Sequence, residues 1–142
     1  MIKATKKSEG YEYVLKNLVS VHDADSLTAD VDLGFYATMR LQFRFYGINA
    51  PEITGTPEYK KTKLFALAQK AQVYVLNELN KAIAANHEVK VRVIKQEKFG
   101  RWLGIFMIGK RNLNNELLKK GFARFYMGDK PKEEVWANYK GV

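Results

Sequence analysis

The sequence predicts an α+β protein, mainly β, in which a small five-stranded barrel carries one long helix and one or two short helices. Segments with alternating apolar residues, typical of strands, lie before and after a single long stretch of helical periodicity. Because strands and helices do not alternate regularly, a purely parallel sheet is not expected, and a small closed barrel is the natural architecture.

Three strands are predicted in the first third of the chain. Residues 11–21 place apolar side chains among polar ones and suit an irregular first strand, and residues 26–31 can form a second. From residue 39 to residue 46 apolar and polar side chains alternate, with Met39 on the apolar side and Arg44 on the polar side. Arg44 is therefore expected to point away from the apolar face.

A loop, a long helix and two further strands follow. Residues 47–57 contain two glycines and two prolines and are predicted to be a loop. Apolar residues at three- and four-residue spacing predict one amphipathic helix over residues 58–84, ended by Asn86. Strands four and five are predicted at residues 89–94 and 102–108.

The last part of the chain predicts short helices. One begins at Asn112 or Asn114 and ends at Gly121, and another follows Pro131. A length of 142 residues suits one compact domain and is too short for two of ordinary size. We therefore expect a single domain over residues 1–142.

Basic side chains outnumber acidic ones, 24 to 15, which gives a net charge of +9. Such a surface has a positive potential that attracts polyanions. Nucleic acid is therefore the first partner to consider, although a merely soluble basic surface would carry the same charge. Charge alone identifies no chemistry.

Cysteine is absent, which excludes disulfides and thiolate metal sites. Residues 1–10 lack the apolar stretch of a signal peptide, and no run of residues approaches transmembrane length. We therefore expect no membrane partner. The chain is also expected to be a monomer. It would be cytoplasmic as written, or secreted if a leader peptide has been removed.

Two carboxylates, Asp23 and Asp25, stand two residues apart at a strand boundary. In an extended chain both would point to the same side and could bind a cation. An EF-hand is excluded, because counting from Asp23 puts Thr28 and Gly34 where glycine and glutamate are needed. Acidic residues also stabilise turns, so this pattern alone leaves both interpretations open.

Two further motifs carry charged residues. Residues 44–52 place Arg44 and Glu52 at the two ends of a segment that contains Gly47 and Pro51, and Lys98 and Arg101 flank Phe99-Gly100 in a strand connection. Each of these residues, taken singly, is more simply explained as a surface charge.

In combination and in this order, the motifs resemble the staphylococcal nuclease family. The family pattern is Asp-Gly-Asp-Thr, then Arg-Leu-x-Gly-x-Asp-x-Pro-Glu, then a long helix, then Tyr-Gly-Arg, then an Asn-x-x-Leu-x-x-x-Gly-x-Ala helix. The matching stretches here are residues 23–26, 44–52, 58–84, 99–101 and 115–123.

The resemblance implies a fold and an activity. The fold is the OB-fold, a five-stranded Greek-key barrel known for binding oligonucleotides. The activity is Ca²⁺-dependent hydrolysis of DNA and RNA, single-stranded or locally melted, by a nuclease with little sequence specificity.

The resemblance also assigns a metal shell by position. Asp25 would bind Ca²⁺ directly, the backbone carbonyl of Ala50 would be a further ligand, and Asp23 would lie in the outer shell. Asn49 stands where the family has a second aspartate. It keeps an oxygen for the metal but removes one negative charge, so weaker Ca²⁺ binding is expected.

The phosphate-handling residues are assigned in the same way. Arg44 and Arg101 would contact the scissile phosphate as its charge builds, and Glu52 would orient or deprotonate the attacking water. Lys98 and Phe99 would contact the substrate, although Phe99 replaces a tyrosine and lacks its hydroxyl donor.

Tyr126 is the nearest candidate for a nucleotide-contacting tyrosine after Gly121, where the family's tyrosines are not reproduced in register. The alternative function is a catalytically inactive OB-fold that binds nucleic acid or a protein. Such a module would be expected to lack an arginine or Glu52 of the phosphate-handling set, and this chain retains them.

Overall fold

The computed structural model describes residues 9–140, and at their centre lies a closed five-stranded barrel of mixed strands. In chain order the strands are β1 (Glu12–Asp23), β2 (Ser26–Gly34), β3 (Ala37–Phe45), β4 (Ile48–Asn49), β5 (Val89–Gln96), β6 (Trp102–Ile108), β7 (Arg111–Asn112) and β8 (Arg124–Phe125). The helices are α1 (Lys63–Ala84), α2 (Leu113–Lys119) and α3 (Lys132–Val135).

The barrel closes through one parallel contact. Strands β3, β2, β1, β5 and β6 are antiparallel neighbours in that order, and β3 pairs with β6 in parallel to complete the circle. The long helix α1 connects the third barrel strand to the fourth, after the short β4. The predicted α+β barrel with OB-fold character is therefore confirmed, with full closure rather than an open edge.

An aromatic cluster fills the barrel. The Phe45 and Phe106 rings stack with centroids 4.4 Å apart, and Phe43 meets Phe106 edge-on at 5.6 Å. All three side chains are fully buried. The apolar face of α1 covers this core through Ala71, Val75 and Leu79, so the helical periodicity of the sequence marks a buried face.

The predicted start of the long helix at residue 58 is wrong. Residues Tyr59–Lys61 form a separate 3₁₀ turn, and Thr62 is extended. The Thr62 Oγ1 accepts a hydrogen bond from the Phe65 N–H at 3.2 Å, so Thr62 caps α1 and sets its start. At the other end Asn86 adopts φ 57°, and the predicted end is confirmed.

None of the helices in the described part of the chain has the length and apolar character that crossing a bilayer requires.

Both strands of the β2–β3 hairpin extend further toward its tip than their predicted bounds, since β2 continues past residue 31 to Gly34 and β3 begins at Ala37 rather than at residue 39. Phe35 and Tyr36 form its tip, both fully exposed and both in the left-handed region, with φ 53° and 64°. Met39, expected on the apolar face, is 51% exposed because this end of the hairpin extends beyond the core.

Residues 47–57, expected to be a loop throughout, contain β4, which pairs with β8. Asn112 rather than Asn114 caps α2, since its Oδ1 accepts the Asn115 N–H at 3.0 Å. Asn114 is buried instead and donates from Nδ2 to the carbonyl of Tyr46 at 3.0 Å. That bond anchors α2 to the chain just after β3.

Candidate active site

The predicted catalytic and metal-shell residues line one small polar cavity at the end of the barrel. Its volume is about 180 Å³. The lining residues are His22, Asp23, Asp25, Arg44, Asn49, Ala50, Glu52, Thr54, Arg101 and Lys132. Four separate parts of the chain thus meet at one place. His22, Thr54 and Lys132 were not among the predicted site residues.

The β1–β2 connection brings the two aspartates to the cavity. The chain reverses here, with Asp23 paired to Ser26, rather than running extended through the Asp-x-Asp motif. The Asp25 carbonyl accepts the Phe45 N–H at 2.8 Å, which fastens the turn to the end of β3. The Asp23 Oδ1 accepts the Ile53 N–H at 2.8 Å and so holds the loop that follows β4.

Asp25 is a buried carboxylate, with only 5% of its surface exposed. Its Oδ2 accepts the Ala50 N–H at 2.9 Å and lies 3.8 Å from the Arg44 Nη2. Burial raises the pKa of the carboxyl above its ordinary value, while the Ala50 N–H and Arg44 oppose that rise. A cation in the cavity would favour the charged form of Asp25.

Arg44 is buried as well, at 7% exposure, and is not a surface charge. It points away from the apolar face of β3, as predicted, but the cavity rather than solvent covers that side. Its Nη2 donates to the Ile48 carbonyl at 3.3 Å, and its guanidinium carbon lies 5.3 Å from the centre of the Tyr126 ring. The guanidinium is thereby held in one orientation.

Glu52 lies at the exposed rim of the cavity. The Tyr59 hydroxyl donates to the Glu52 carbonyl at 2.7 Å, so the 3₁₀ turn before α1 fixes the backbone at Glu52. Glu52 lines the cavity together with the two arginines and is exposed to solvent.

Arg101 is held by Glu97 across the tight connection between β5 and β6. The Arg101 Nε and Nη2 both donate to the Glu97 carboxylate, and the Glu97 N–H donates to the Arg101 carbonyl at 2.9 Å. The sequence contained this signal, because Glu97 lies four residues before Arg101 on the other side of a turn with Gly100.

Asn49 makes a contact that sequence reasoning missed. Its Oδ1 accepts a hydrogen bond from the Trp136 Nε1 at 2.9 Å, and both side chains are buried. The Arg124 guanidinium stacks 4.5 Å above the Trp136 ring and donates to the Val135 carbonyl at 2.8 Å. The segment around α3 is therefore fastened against β4 and carries Lys132 to the cavity.

A second, larger cleft of about 530 Å³ opens beside the first. The predicted substrate-binding residues Lys98, Phe99 and Tyr126 line it, together with Arg44 and Arg101. The Phe99 ring is well exposed, and the Lys98 Nζ lies 5.0 Å from its centre. The three predicted substrate contacts thus lie together, next to the arginines.

The oxygen atoms around the smaller cavity suit a hard cation such as Ca²⁺. Asp25 supplies a desolvated carboxylate, and Asn49 keeps one lone pair of its amide oxygen free of the Trp136 bond. Within residues 9–140 no group of three or more His, Cys, Asp or Glu side chains could by itself hold a metal ion. An ion bound here would therefore keep several waters.

Comparison with protein families relates the second and larger part of the chain to a known family. The family model described as staphylococcal nuclease homologue matches residues 42–140. The matched part includes Arg44, Glu52 and Arg101 and extends through α3, whereas Asp23 and Asp25 lie before it. A comparison with curated proteins finds no match.

Proposed function

Because the chain belongs to the staphylococcal nuclease homologue family, we propose that it is a Ca²⁺-dependent phosphodiesterase that hydrolyses DNA and RNA with little sequence preference. The observation that carries the proposal is the convergence of Arg44, Arg101, Glu52 and Asp25 on one cavity of about 180 Å³. Family membership supports a nucleic acid as the partner in general, and the net charge of +9 favours its approach.

The two arginines would bind the scissile phosphate. Planar guanidiniums donate paired hydrogen bonds to phosphate oxygens, and donors that meet developing charge are typically worth about 3 to 4 kcal/mol each. Arg44 is nearly buried and Arg101 is anchored by Glu97. Both are therefore positioned before substrate binds, which avoids the cost of ordering them during the reaction.

Glu52 would act on the attacking water. Its position at the exposed rim gives water access to the carboxylate, and the Tyr59 hydrogen bond to its carbonyl keeps the backbone in place. The carboxylate then accepts a proton from the water or orients it toward phosphorus.

Asp25 and the Ala50 carbonyl would hold the cation, with Asn49 and Asp23 in support. When bound, Ca²⁺ polarises the phosphate and offsets its charge. The Ala50 N–H that bonds Asp25 orients the carboxylate, and the Ile53 N–H does the same for Asp23. Phosphate contacts of this kind position a substrate without reading its bases, which fits a nuclease of low specificity.

The test is digestion of single-stranded and duplex DNA and RNA in Ca²⁺ and in chelator. We expect the wild-type protein to cleave these substrates in Ca²⁺ and not in chelator. The double variant Arg44→Ala, Arg101→Ala should not cleave them in either condition. Single-strand binding is measured in parallel by fluorescence anisotropy. Binding without metal-dependent cleavage would contradict the enzyme proposal and favour the inactive binding module instead.

A further inference from the structure

A third cleft adjoins the candidate site and shares only Lys132 with the lining of the Phe99 cleft. It has a volume of about 500 Å³ and lies between the loop after β4 and the segment around α3. It shares Asn49, Ala50 and Glu52 with the small polar cavity. Lys132 lines this cleft, the small cavity and the Phe99 cleft, so the three spaces meet at one side chain.

The two outer clefts are alike in size and differ from the cavity between them. At about 500 and 530 Å³ both lie within the usual range of ligand clefts, about 300 to 1,000 Å³. The cavity of about 180 Å³ between them is lined by charged and amide side chains. Each outer cleft shares at least three lining residues with the charged cavity, whereas the two outer clefts share only Lys132, so the charged cavity lies between them.

We propose that the third cleft binds the nucleoside on the far side of the scissile phosphate from the Phe99 cleft, so that the chain recognises at least a dinucleotide. This inference rests on the proposed function. In such a complex the phosphate lies in the charged cavity, each outer cleft holds one nucleoside, and the Lys132 ammonium approaches the phosphate beside the two arginines.

The walls of the third cleft favour a neutral, flat group. Pro51, Leu64 and the Tyr59 ring provide apolar surface, and Tyr59 is fixed by its bond to the Glu52 carbonyl and by edge contact with Phe65. A ring held in this way can stack on a base without losing further freedom.

The charges at this cleft argue against a second phosphate inside it. Glu52 and Glu133 both line it, and their carboxylates would repel an anion. Lys132 stands at the boundary with the charged cavity. An uncharged nucleoside with its phosphate directed toward Lys132 matches this distribution.

The test is calorimetric binding in chelator, where no cleavage intervenes. The probes are thymidylyl-thymidine and the methyl phosphodiesters of thymidine at the 3′ and 5′ positions, which carry the same charge but only one nucleoside. We expect the dinucleotide to bind at least about fivefold more tightly than either methyl ester. This is the smallest gain that stacking of one additional base on an aromatic ring typically gives.

Two variants fill the cleft from opposite walls. Ala137→Trp and Thr56→Trp replace exposed residues that line only this cleft, and each is expected to abolish the dinucleotide advantage while leaving binding of the better methyl ester unchanged. Ala84→Trp, at the exposed far end of α1, is the matched control and should keep the advantage.

Equal binding of dinucleotide and esters overturns the inference, as does an advantage that survives in both filled variants. Because the readout needs neither metal nor turnover, a chain that failed to cleave could still bind as expected. Conversely, a chain that cleaves in Ca²⁺ but shows no dinucleotide advantage would remain a nuclease without this subsite.

Discussion

The indole N–H of Trp136 donates a buried hydrogen bond of 2.9 Å to the Asn49 amide oxygen, 87 residues earlier in the chain. This bond joins the last helical segment to β4, which carries Asn49 of the candidate metal shell. An indole nitrogen can only donate, so the amide oxygen of Asn49 must face Trp136. The contact therefore orients a side chain that the proposed Ca²⁺ site requires.

Trp136→Phe is expected to destabilise the protein by about 1 to 3 kcal/mol, because the buried Asn49 oxygen loses its donor. The free energy of unfolding in urea measures the effect. Trp102→Phe, on the half-buried face of β6, controls for the loss of an indole elsewhere. If both variants lose the same stability, the hydrogen bond makes no net contribution.

Asn49→Asp is expected to bind Ca²⁺ more tightly, since a carboxylate adds a charge and can still accept the Trp136 N–H. Calorimetric titration with Ca²⁺ measures the change. The control is Asn115→Asp, which adds the same charge at an exposed position on α2. Unchanged or weaker binding by Asn49→Asp would place residue 49 outside the metal shell.

Arg101→Ala and Arg44→Ala are each expected to lower kcat by about 100- to 1,000-fold, because each removes a donor to the developing phosphate charge. Steady-state cleavage of a single-stranded substrate in Ca²⁺ measures the change. Arg92→Ala removes an exposed arginine from β5 and should retain full activity. Wild-type turnover by both site variants would mean that the site is wrongly assigned.

The two arginine variants should differ in stability. Arg44 is buried beside Asp25, so its removal leaves that carboxylate without its nearest cation. Arg101 is partly exposed, and its partner Glu97 can regain water. We expect Arg44→Ala to lower the thermal unfolding temperature more than Arg101→Ala does. Thermal unfolding of both variants is therefore measured before their kcat values are compared.

The free energy of unfolding should fall in acid because Glu116 becomes protonated. Hydrogen bonds from Arg111, and then from the Tyr74 hydroxyl, lower the pKa of Glu116 from 4.5 to about 2. A carboxyl with a lowered pKa stabilises the fold above its unfolded pKa, and this contribution is lost as pH falls from about 4.5 to 2. Glu116→Gln should therefore cost about 1 to 3 kcal/mol at pH 7 and much less at pH 2.

Urea unfolding at the two pH values measures this difference. Glu133→Gln, at an exposed position in α3, is the control and should change stability little at either pH. An equal loss at pH 7 and pH 2 would show that the charge on Glu116 does not contribute. The contact between Arg111 and Glu116 would then stabilise the fold without a net electrostatic contribution.

Local pattern predicted most of the barrel and its long helix. The apolar residues whose spacing predicts α1 form its buried face in the structure. The alternation of apolar and polar residues before Arg44 corresponds to the two faces of β3. The motifs that carry Asp25, Arg44, Glu52 and Arg101 were recognisable because each is short and keeps its order along the chain. Local pattern did not predict that these residues line one cavity, because closure of the barrel brings them together.

What the sequence could not predict depends on contacts distant in the chain. Trp136 and Lys132 are held at the candidate site by the Asn49 hydrogen bond, by the stacking of Arg124 on Trp136 and by the pairing of β8 with β4. Nothing in the local sequence around Pro131 signals that destination. The late start of α1 has a local cause, since Thr62 is extended and its hydroxyl caps the helix.

The parallel contact between β3 and β6 has a consequence for the order of folding. It aligns Phe43 with Trp102 and Arg44 with Leu103, residues that α1 and β5 separate along the chain. As the chain leaves the ribosome, β3 keeps an unpaired edge until β6 has been synthesised. Contacts at such separation form late. Arg44 and Arg101 therefore come together only when the barrel closes, and a nascent chain that ends before Arg101 carries only one arginine of the proposed phosphate-binding pair.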